Sequence, residues 1–435
     1  MSEKRIFIFE FVSGGGFNQL DMPPHLFSEG YGMLRAIIAD FKLMNIEILT
    51  LLDYRINFLS RYLKADNIVI VNKDEDYIKK FKDCLDECGM CYIIAPEFSN
   101  ILYDLTNIAV KKKKKILSVD LNGISLGTSK IKTFNYFTQK TIPTPQTFLI
   151  PFKKDQLDRE FIIRKFKQLN GSIIIKPLDG VGAESILYFE EIKQVKKYFQ
   201  EYTDHLDLKR QYILQEYVNG NDFSVSLIGR LKKEESDFLD PTILSINTQE
   251  LNIKNFNQES EYLGGATPVK DFLEIKEDLK EYITKNNFQI NSFYGIDFIR
   301  TNDKKLKFIE INPRLTTSYM GIRNIININP VEMIFESETN DSYLNDVNFI
   351  GHSKFTRLEL IYRGDYSISD INETLIRNLT KNIPELITPP ISFSDMSTKD
   401  NKIFSCFIST KSKTAEASQE RFKEILQILR KYNFY

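Results

Sequence analysis

At 435 residues, 42% of them hydrophobic and 27% charged, the chain has room for roughly two or three packed domains and the balance of an ordinary globular protein rather than a disordered one. A formal net charge of −1 excludes a nucleic-acid binder that works by bulk electrostatics. No apolar run approaches the ~20 residues that span a bilayer, and MSEKRIFIFEF has too short an apolar run for a signal peptide, so a cytoplasmic protein with no membrane and no nucleic-acid partner is expected.

Over the first 150 residues short apolar strands alternate with helical segments. Strands are predicted at 5–11, 46–51, 67–71, 91–95 and 116–119, and helices near 29–44, 74–88 and 98–110. This alternation predicts an α/β unit, a parallel sheet with crossover helices, over 1–125. Its first strand runs through FEFVSGGGF into Gly14–Gly16. A P-loop would need Gly-Lys-Ser/Thr, whereas Phe17 and Asn18 follow; the dinucleotide pattern lacks its last glycine. The nucleotide, if any, binds elsewhere. Lys111–Lys115 reads as a solvated helix end, where cations are favourable. Cys84, Cys88 and Cys91 have the C-x3-C-x2-C spacing of an iron–sulfur motif. Two of them fall in a helix capped by Gly89, and Met90 stands where that pattern has an aromatic, so ordinary intracellular thiols are the reading carried forward.

The proline-punctuated TIPTPQTF, 141–148, marks a boundary. Beyond it the pattern becomes α+β: a helix in DREFIIRKFKQLN ending at Gly171, strands SIIIKP and SILYF around a glycine turn, a helix, then QYILQEYV and DFSVSLIG. A charged connection at 231–240 leads to strands at 242–252, 292–300 and 306–312, with a helix at 271–286. The last 85 residues predict one more small layer: a strand at 354–361, a helix at 368–380, a proline break in ELITPP, a strand at 403–409 and an amphipathic closing helix.

Chemistry concentrates in YGIDFIRTNDKKLKFIEINPR, 294–314. Glu310 and Asn312 are two apart on one strand and share a face; a hairpin brings Asp297 opposite them. Buried carboxylates are costly alone, so a hard cation, Mg²⁺ or Mn²⁺, is the natural partner. Arg314 then stands beside the metal, suited to neutralising a transferring phosphoryl group. In IIIKPLDGVGAESI, Lys176 ends a buried strand as a point charge for a phosphate, and Gly180 and Gly182 let backbone N–H groups approach its oxygens. In ILQEYVNGNDFSVSLIG, backbone groups around Glu216–Val218 are candidates for an adenine edge, and Asp222 for ribose hydroxyls.

In this order and spacing the three stretches resemble the ATP-grasp superfamily over roughly 120–330. The resemblance implies an ATP-grasp fold of two α+β lobes over 126–340, with a pre-ATP-grasp domain at 1–125 and an α+β extension at 341–435. Residue by residue it implies nucleotide contacts from Lys130, Lys176, Asp179, Gly180, Gly182, Gln215, Glu216, Tyr217, Val218 and Asp222. It further implies metal ligands Asp297, Glu310 and Asn312, and catalytic roles for Arg314 and Lys176. The hinge begins Gln-Glu where the family has Glu-Glu, which passes adenine N6 recognition to Gln215 or a backbone carbonyl.

Family members activate a carboxylate as an acyl phosphate, at the expense of ATP, for attack by an amine. FEFVSGGGF, IIKPLDGVGAESI, EYLGGATPV and FIEINPRLTTSY together resemble one branch, the archaeal tyramine–glutamate ligases of methanofuran biosynthesis. The closing helix, KTAEASQERFKEIL, is similar to that of carboxylase-like members. The expected partners are thus a small carboxylate and a small amine, with a homodimer common in the family. Another amino-acid, peptide or pterin-type acceptor, or a non-catalytic ATP-binding sensor, are the competing readings. Gly14–Gly16 and the glycine turn in EYLGGATPV are expected to shape the acceptor pocket.

Overall fold

The computed structural model describes residues 5–153, 156–180, 182, 185–201, 206–231, 238–258, 260–286, 288–336, 347–367, 371–393 and 402–435. Strands β1 (Arg5–Glu10), β2 (Glu47–Asp53), β3 (Asn67–Val71), β4 (Met90–Ile94) and β5 (Lys115–Ile116) form a parallel sheet in the order β3-β2-β1-β4-β5. Helices α1 (Pro24–Leu43), α2 (Tyr77–Glu87) and α3 (Ile101–Lys111) make the crossovers. The first helix begins earlier than its periodicity predicts because Pro24 opens it, a position where the missing N–H costs nothing. Asp76 caps α2 by accepting the Ile78 N–H. Phe81 of α2 then packs edge-on to Phe7 and Phe9, with ring centroids 5.4 and 4.9 Å away.

After α4 (Leu121–Gly127) and α5 (Lys130–Gln139) comes a separate small lobe. It holds β6 (Thr147–Leu149), the short ribbon β7 (Phe152–Lys153) and β8 (Gln156–Leu157), α6 (Arg159–Leu169), β9 (Ile173–Pro177), β10 (Leu187–Phe189), α7 (Ile192–Glu201) and β11 (Tyr212–Glu216). The sheet β10-β9-β11-β6 is antiparallel and buries its own core of Ile162, Ile173, Ile175, Phe189 and Tyr198.

The rest of the chain builds two further sheets from β12 (Gly220–Leu231), β13 (Phe238–Thr248), β14 (Glu250–Asn252), β15 (Glu261–Thr267), α8 (Phe272–Asn286), β16 (Ser292–Thr301), β17 (Leu306–Asn312), α9 (Tyr319–Ile325), α10 (Pro330–Glu336), β18 (Ser353–Tyr362), α11 (Ile376–Asn382), β19 (Leu386–Ile391), β20 (Lys402–Ser409) and α12 (Ala415–Lys431). Their orders are β13-β12-β16-β17 and β14-β15-β18-β20-β19. Strands from beyond residue 340 therefore share one sheet with β14 and β15. Helix α1 seats this sheet against the first: the Thr388 hydroxyl donates to the Ser28 carbonyl at 2.6 Å, and Asp40 accepts from Tyr319 and Arg323 of α9.

Two expectations are overturned here. EYLGGATPV is not a turn: its glycines lie inside β15, paired with β18. A Cβ at Gly265 would stand 1.9 Å from the Thr248 carbonyl oxygen, so glycine is there for close backbone approach. Gly265→Ala is expected to destabilise the fold by about 1–3 kcal/mol, since that backbone must move apart; a thermal melt checks it. ELITPP is likewise no break, because Pro389 and Pro390 sit in β19, at the edge of its sheet, where a missing N–H costs no ladder bond. The closing helix and the strand at 402–409 follow their patterns.

Candidate active site

The β16–β17 hairpin is closed by a tight turn in which the Thr301 N–H donates to the Lys305 carbonyl at 2.9 Å. Its register sets Asp297 opposite Glu310 and Gly295 opposite Asn312, with a bulge just after Asp297. Two carboxylates and an amide thus share one face. Asn312 Nδ2 donates to Asp297 Oδ2 at 3.0 Å, and Gln249 Nε2 to Oδ1 at 2.9 Å. Lys130 Nζ lies 3.2 Å from Glu310 Oε2 and donates to the Gly180 carbonyl at 2.6 Å, so one cation ties the hairpin to the glycine turn.

Burial, reinforced by the neighbouring Glu310 charge, pushes the Asp297 carboxyl well up. Burial alone would raise Glu310 too, but Lys130 and Lys176 outweigh it and hold that carboxyl below its usual range. Burial pushes Lys176 down to about 8, against the pull of Glu310. Two carboxylates this close, held apart in proton affinity and flanked by two lysines, form a site built for charge brought in from outside. The donors are all hard oxygens and too few for a self-sufficient cage, which suits a magnesium completed by phosphate oxygens and water.

A cavity of about 220 Å³ opens over the hairpin. One end is walled by Ile174, Lys176, Gly180 and Gly182 from the small lobe, by the strand end Gln215–Val218, and by Asp222, Phe298 and Ile309. Burial pushes the Asp222 carboxyl up to about 6. The slot between the lobes has apolar walls at Ile174, Phe298 and Ile309, with Glu216, Tyr217 and Val218 also lining it. The Gln215 amide donates to the Thr147 hydroxyl at 2.9 Å, so one of its two N–H donors is already committed.

The other end is lined by the first domain, through Glu10, Val12, Leu26, Glu29, Met33 and the turn Ile94–Pro96. Arg314 joins the two ends: its Nε donates to Glu97 at 2.9 Å and its Nη1 to the Leu315 carbonyl at 3.1 Å. Its Nη2 has no partner among the described residues. Glu10 accepts the Val12 N–H, the Ser13 N–H and the Ser13 hydroxyl at 3.0, 2.7 and 2.6 Å, so it is spent on the turn. Glu29 accepts no hydrogen bond among the described residues; its nearest cation is Arg357 Nη1, 3.6 Å away.

Lys130, Lys176, Gly180, Gly182, Gln215, Glu216, Tyr217, Val218, Asp222, Asp297, Glu310, Asn312 and Arg314 all line this one cavity. Asp179 does not: it pairs with Arg210 at 3.1 Å and accepts the Ser99 N–H, holding the small lobe to the first domain. Val181, Ala183 and Glu184 of the glycine loop lie outside the described residues. Gly14–Gly16 are also off the wall, packed against Phe9, Val71 and Phe11. Their turn instead presents Val12 to the cavity. Sequence reasoning missed Gln249, Glu29 and Glu97. A further expectation concerns the cysteines. Burial pushes Cys84 and Cys91 up to about 12 and Cys88 up to about 11, leaving protonated thiols, and no group of three or more His, Cys, Asp or Glu gathers as a metal site among the described residues. Lys112 pairs with Asp86 and Lys114 with the Cys88 carbonyl, in keeping with a helix end. No helix of the described residues is long and apolar enough to cross a membrane.

Known proteins share the domains that carry this cavity. A model of the pre-ATP-grasp 3 domain matches residues 46–124, and one of the ATP-grasp domain matches 128–318. The tyramine–L-glutamate ligase of Methanocaldococcus fervens is 28% identical over 356 residues, 78% of this chain and 99% of that protein. The tyramine–L-glutamate ligase of Methanocaldococcus jannaschii is 26% identical over 343 residues, 77% and 90%. The biotin carboxylase domain of a Hydrogenobacter thermophilus 2-oxoglutarate carboxylase, a dimer crystallised with MgADP and bicarbonate, superposes with a TM-score of 0.68 at 14% identity, covering 98% of this chain and 89% of that one.

Proposed function

Because this chain is an ATP-grasp ligase, with a pre-ATP-grasp domain ahead of its ATP-grasp domain, we propose that it joins a small carboxylic acid to a small primary amine. The single observation that carries the reading is the continuity of one cavity from the apolar slot, past Lys176 and the Asp297–Glu310–Asn312 set, to Arg314 and Glu29. ATP lies with its base between Ile174, Phe298 and Ile309, its ribose by Asp222 and its phosphates toward Lys130 and Lys176.

Asp297, Glu310 and Asn312 would hold Mg²⁺. When bound, the ion supplies positive charge against the phosphoryl group in flight. A carboxylate oxygen of the acid attacks the γ-phosphorus as the bond to ADP breaks, with Lys176 and Arg314 offsetting the charge drawn together. The amine nitrogen then attacks the acyl carbon, the C–N bond forms, and the C–O bond to phosphate breaks. The nitrogen's protons pass to solvent and phosphate. Apolar walls at Leu26, Met33 and Ile94–Pro96 keep water from the acyl phosphate.

An acidic, apolar-walled acceptor chamber supports an amine that arrives as its ammonium and gives up one proton before its nitrogen attacks, and the likeness to tyramine–L-glutamate ligases makes glutamate and aryl-alkyl amines the first pairs to try. ADP release and product mass should be screened for glutamate with tyramine, tyrosine and related amines. One pair is expected to give stoichiometric ADP and an amide; the absence of ADP release with every pair would favour a non-catalytic nucleotide sensor. A homodimer is part of the proposal, and sedimentation checks it.

A further inference from the structure

A second cavity, about 430 Å³, lies against a different face of α1. Leu26, Glu29, Gly30 and Met33 face the catalytic cavity, whereas Arg35, Ala36 and Ala39 face this one. Its other walls come from Tyr62 and Lys64, from α9, from β19 and Pro384–Glu385 just before it, from Ser409 at the end of β20 and from Lys411 beyond it.

Its charges do not balance. Arg323 is clasped by Asp40 at 2.8 and 2.5 Å, while Glu385 is held by Arg421 at 2.6 and 3.1 Å, an arginine it shares with Glu424 at 3.0 Å, so the cavity wall keeps at most part of one negative charge against three cations. Arg35, Lys64 and Lys411 have no carboxylate within ion-pair distance among the described residues. Arg35 is nonetheless held in place: Nη1 donates to the Leu386 and Ile387 carbonyls at 2.9 and 2.7 Å, and its guanidinium lies 5.8 Å from the Tyr62 ring centre. Carbonyls orient the guanidinium without cancelling it. The Tyr62 hydroxyl also has no partner among the described residues, and Asn324 is fixed by the Met320 carbonyl and Ser409. A fixed arginine with two flexible lysines around a concave space is a receptor for concentrated negative charge. A concave pocket rather than a flat face points to a small molecule.

We propose that this cavity binds a small multivalent anion, a phosphate- or carboxylate-rich metabolite, at a site separate from the catalytic one and sharing α1 with it. The test uses titration calorimetry of the full chain at constant ionic strength, with inorganic pyrophosphate and with citrate as probes. The catalytic cavity also carries lysines, so two variants separate the sites. Binding is expected to survive in Lys176→Met and to weaken about tenfold or more in the Lys64→Ala/Lys411→Ala double variant, whose exposed positions leave the core untouched. Pyrophosphate alone binding would assign the phosphate-bearing source, and citrate binding equally well would assign charge density alone. Binding lost in Lys176→Met and kept in the double variant, or no binding by either probe, overturns the proposal. Neither result bears on whether the chain is a ligase.

Discussion

Glu310→Gln should abolish ADP formation, a fall on the order of 10³-fold or more, while the protein remains folded. The substitution keeps the shape and removes the charge that Lys130 meets at 3.2 Å. Two opposed effects act on the resting fold. Asp297 loses a like-charged neighbour, which favours it, while Lys130 and Lys176 lose a counter-charge, which does not. These largely offset one another, so a circular dichroism spectrum and melt close to wild type are expected. No such cancellation operates in the reaction, where a glutamine cannot replace an anionic ligand on a metal facing a triphosphate. Turnover like that of the wild type would remove the metal assignment. Loss of turnover together with loss of the folded spectrum would call for Asn312→Ala, which takes away a donor without disturbing the charge balance.

The parts legible in the sequence are those where burial and periodicity point the same way. IIIKP, YILQE and SFYGIDFIRT are apolar runs with a turn beyond them, and each became a strand of the predicted place. A carboxylate inside such a run, as at Glu310, announces a site because leaving it there unpartnered is expensive. The same argument applies to Glu10 in RIFIFEF, which three glycines follow closely. Glu10 is indeed buried with full hydrogen bonding, but its partners are its own turn, and no spacing rule distinguishes the two cases.

The misread segments share a cause of another kind. Gly264, Gly265, Pro389 and Pro390 break patterns locally, yet each is fixed by a neighbour distant in sequence: the Thr248 and Phe355 carbonyls for the glycines, and an outer position in the sheet for the prolines. Propensity gives way to tertiary contact at such points. Asp179 belongs here as well. Its place in a glycine loop reads as a phosphate contact, whereas Arg210, far along the chain, takes its charge. The proposed acceptor end is assembled from Glu29 and Glu97 of the first domain and Arg314 from far along the chain, so no single stretch could reveal it.

Glu29→Gln should raise KM for the amine and lower kcat/KM for it by roughly 30- to 10³-fold, with the KM for ATP little changed. That range corresponds to about 2–4 kcal/mol for one charge-assisted contact in a dry pocket. Of the carboxylates at this end, Glu97 is held by Arg314 and Glu10 by its turn, leaving Glu29 with capacity to spare. Burial raises its carboxyl, with Arg357 and Arg314 pulling the other way, so an arriving ammonium would meet a group under-supplied with donors. The apolar neighbours Leu26 and Met33 suit an aryl or alkyl body behind that ammonium. An amino acid in the same pose would bring its own carboxylate against Glu10 and Glu29, so tyramine should outrun tyrosine by about tenfold or more, a preference of some 1.4 kcal/mol. Removing the Glu29 charge relieves that repulsion, and the ratio should narrow in the variant. Steady-state kinetics with the two acceptors at saturating ATP reads both effects. An amine kcat/KM within twofold of wild type, or an unchanged tyramine-to-tyrosine ratio, would take Glu29 out of the acceptor site while leaving the phosphoryl-transfer end, tested through Glu310, as it stands.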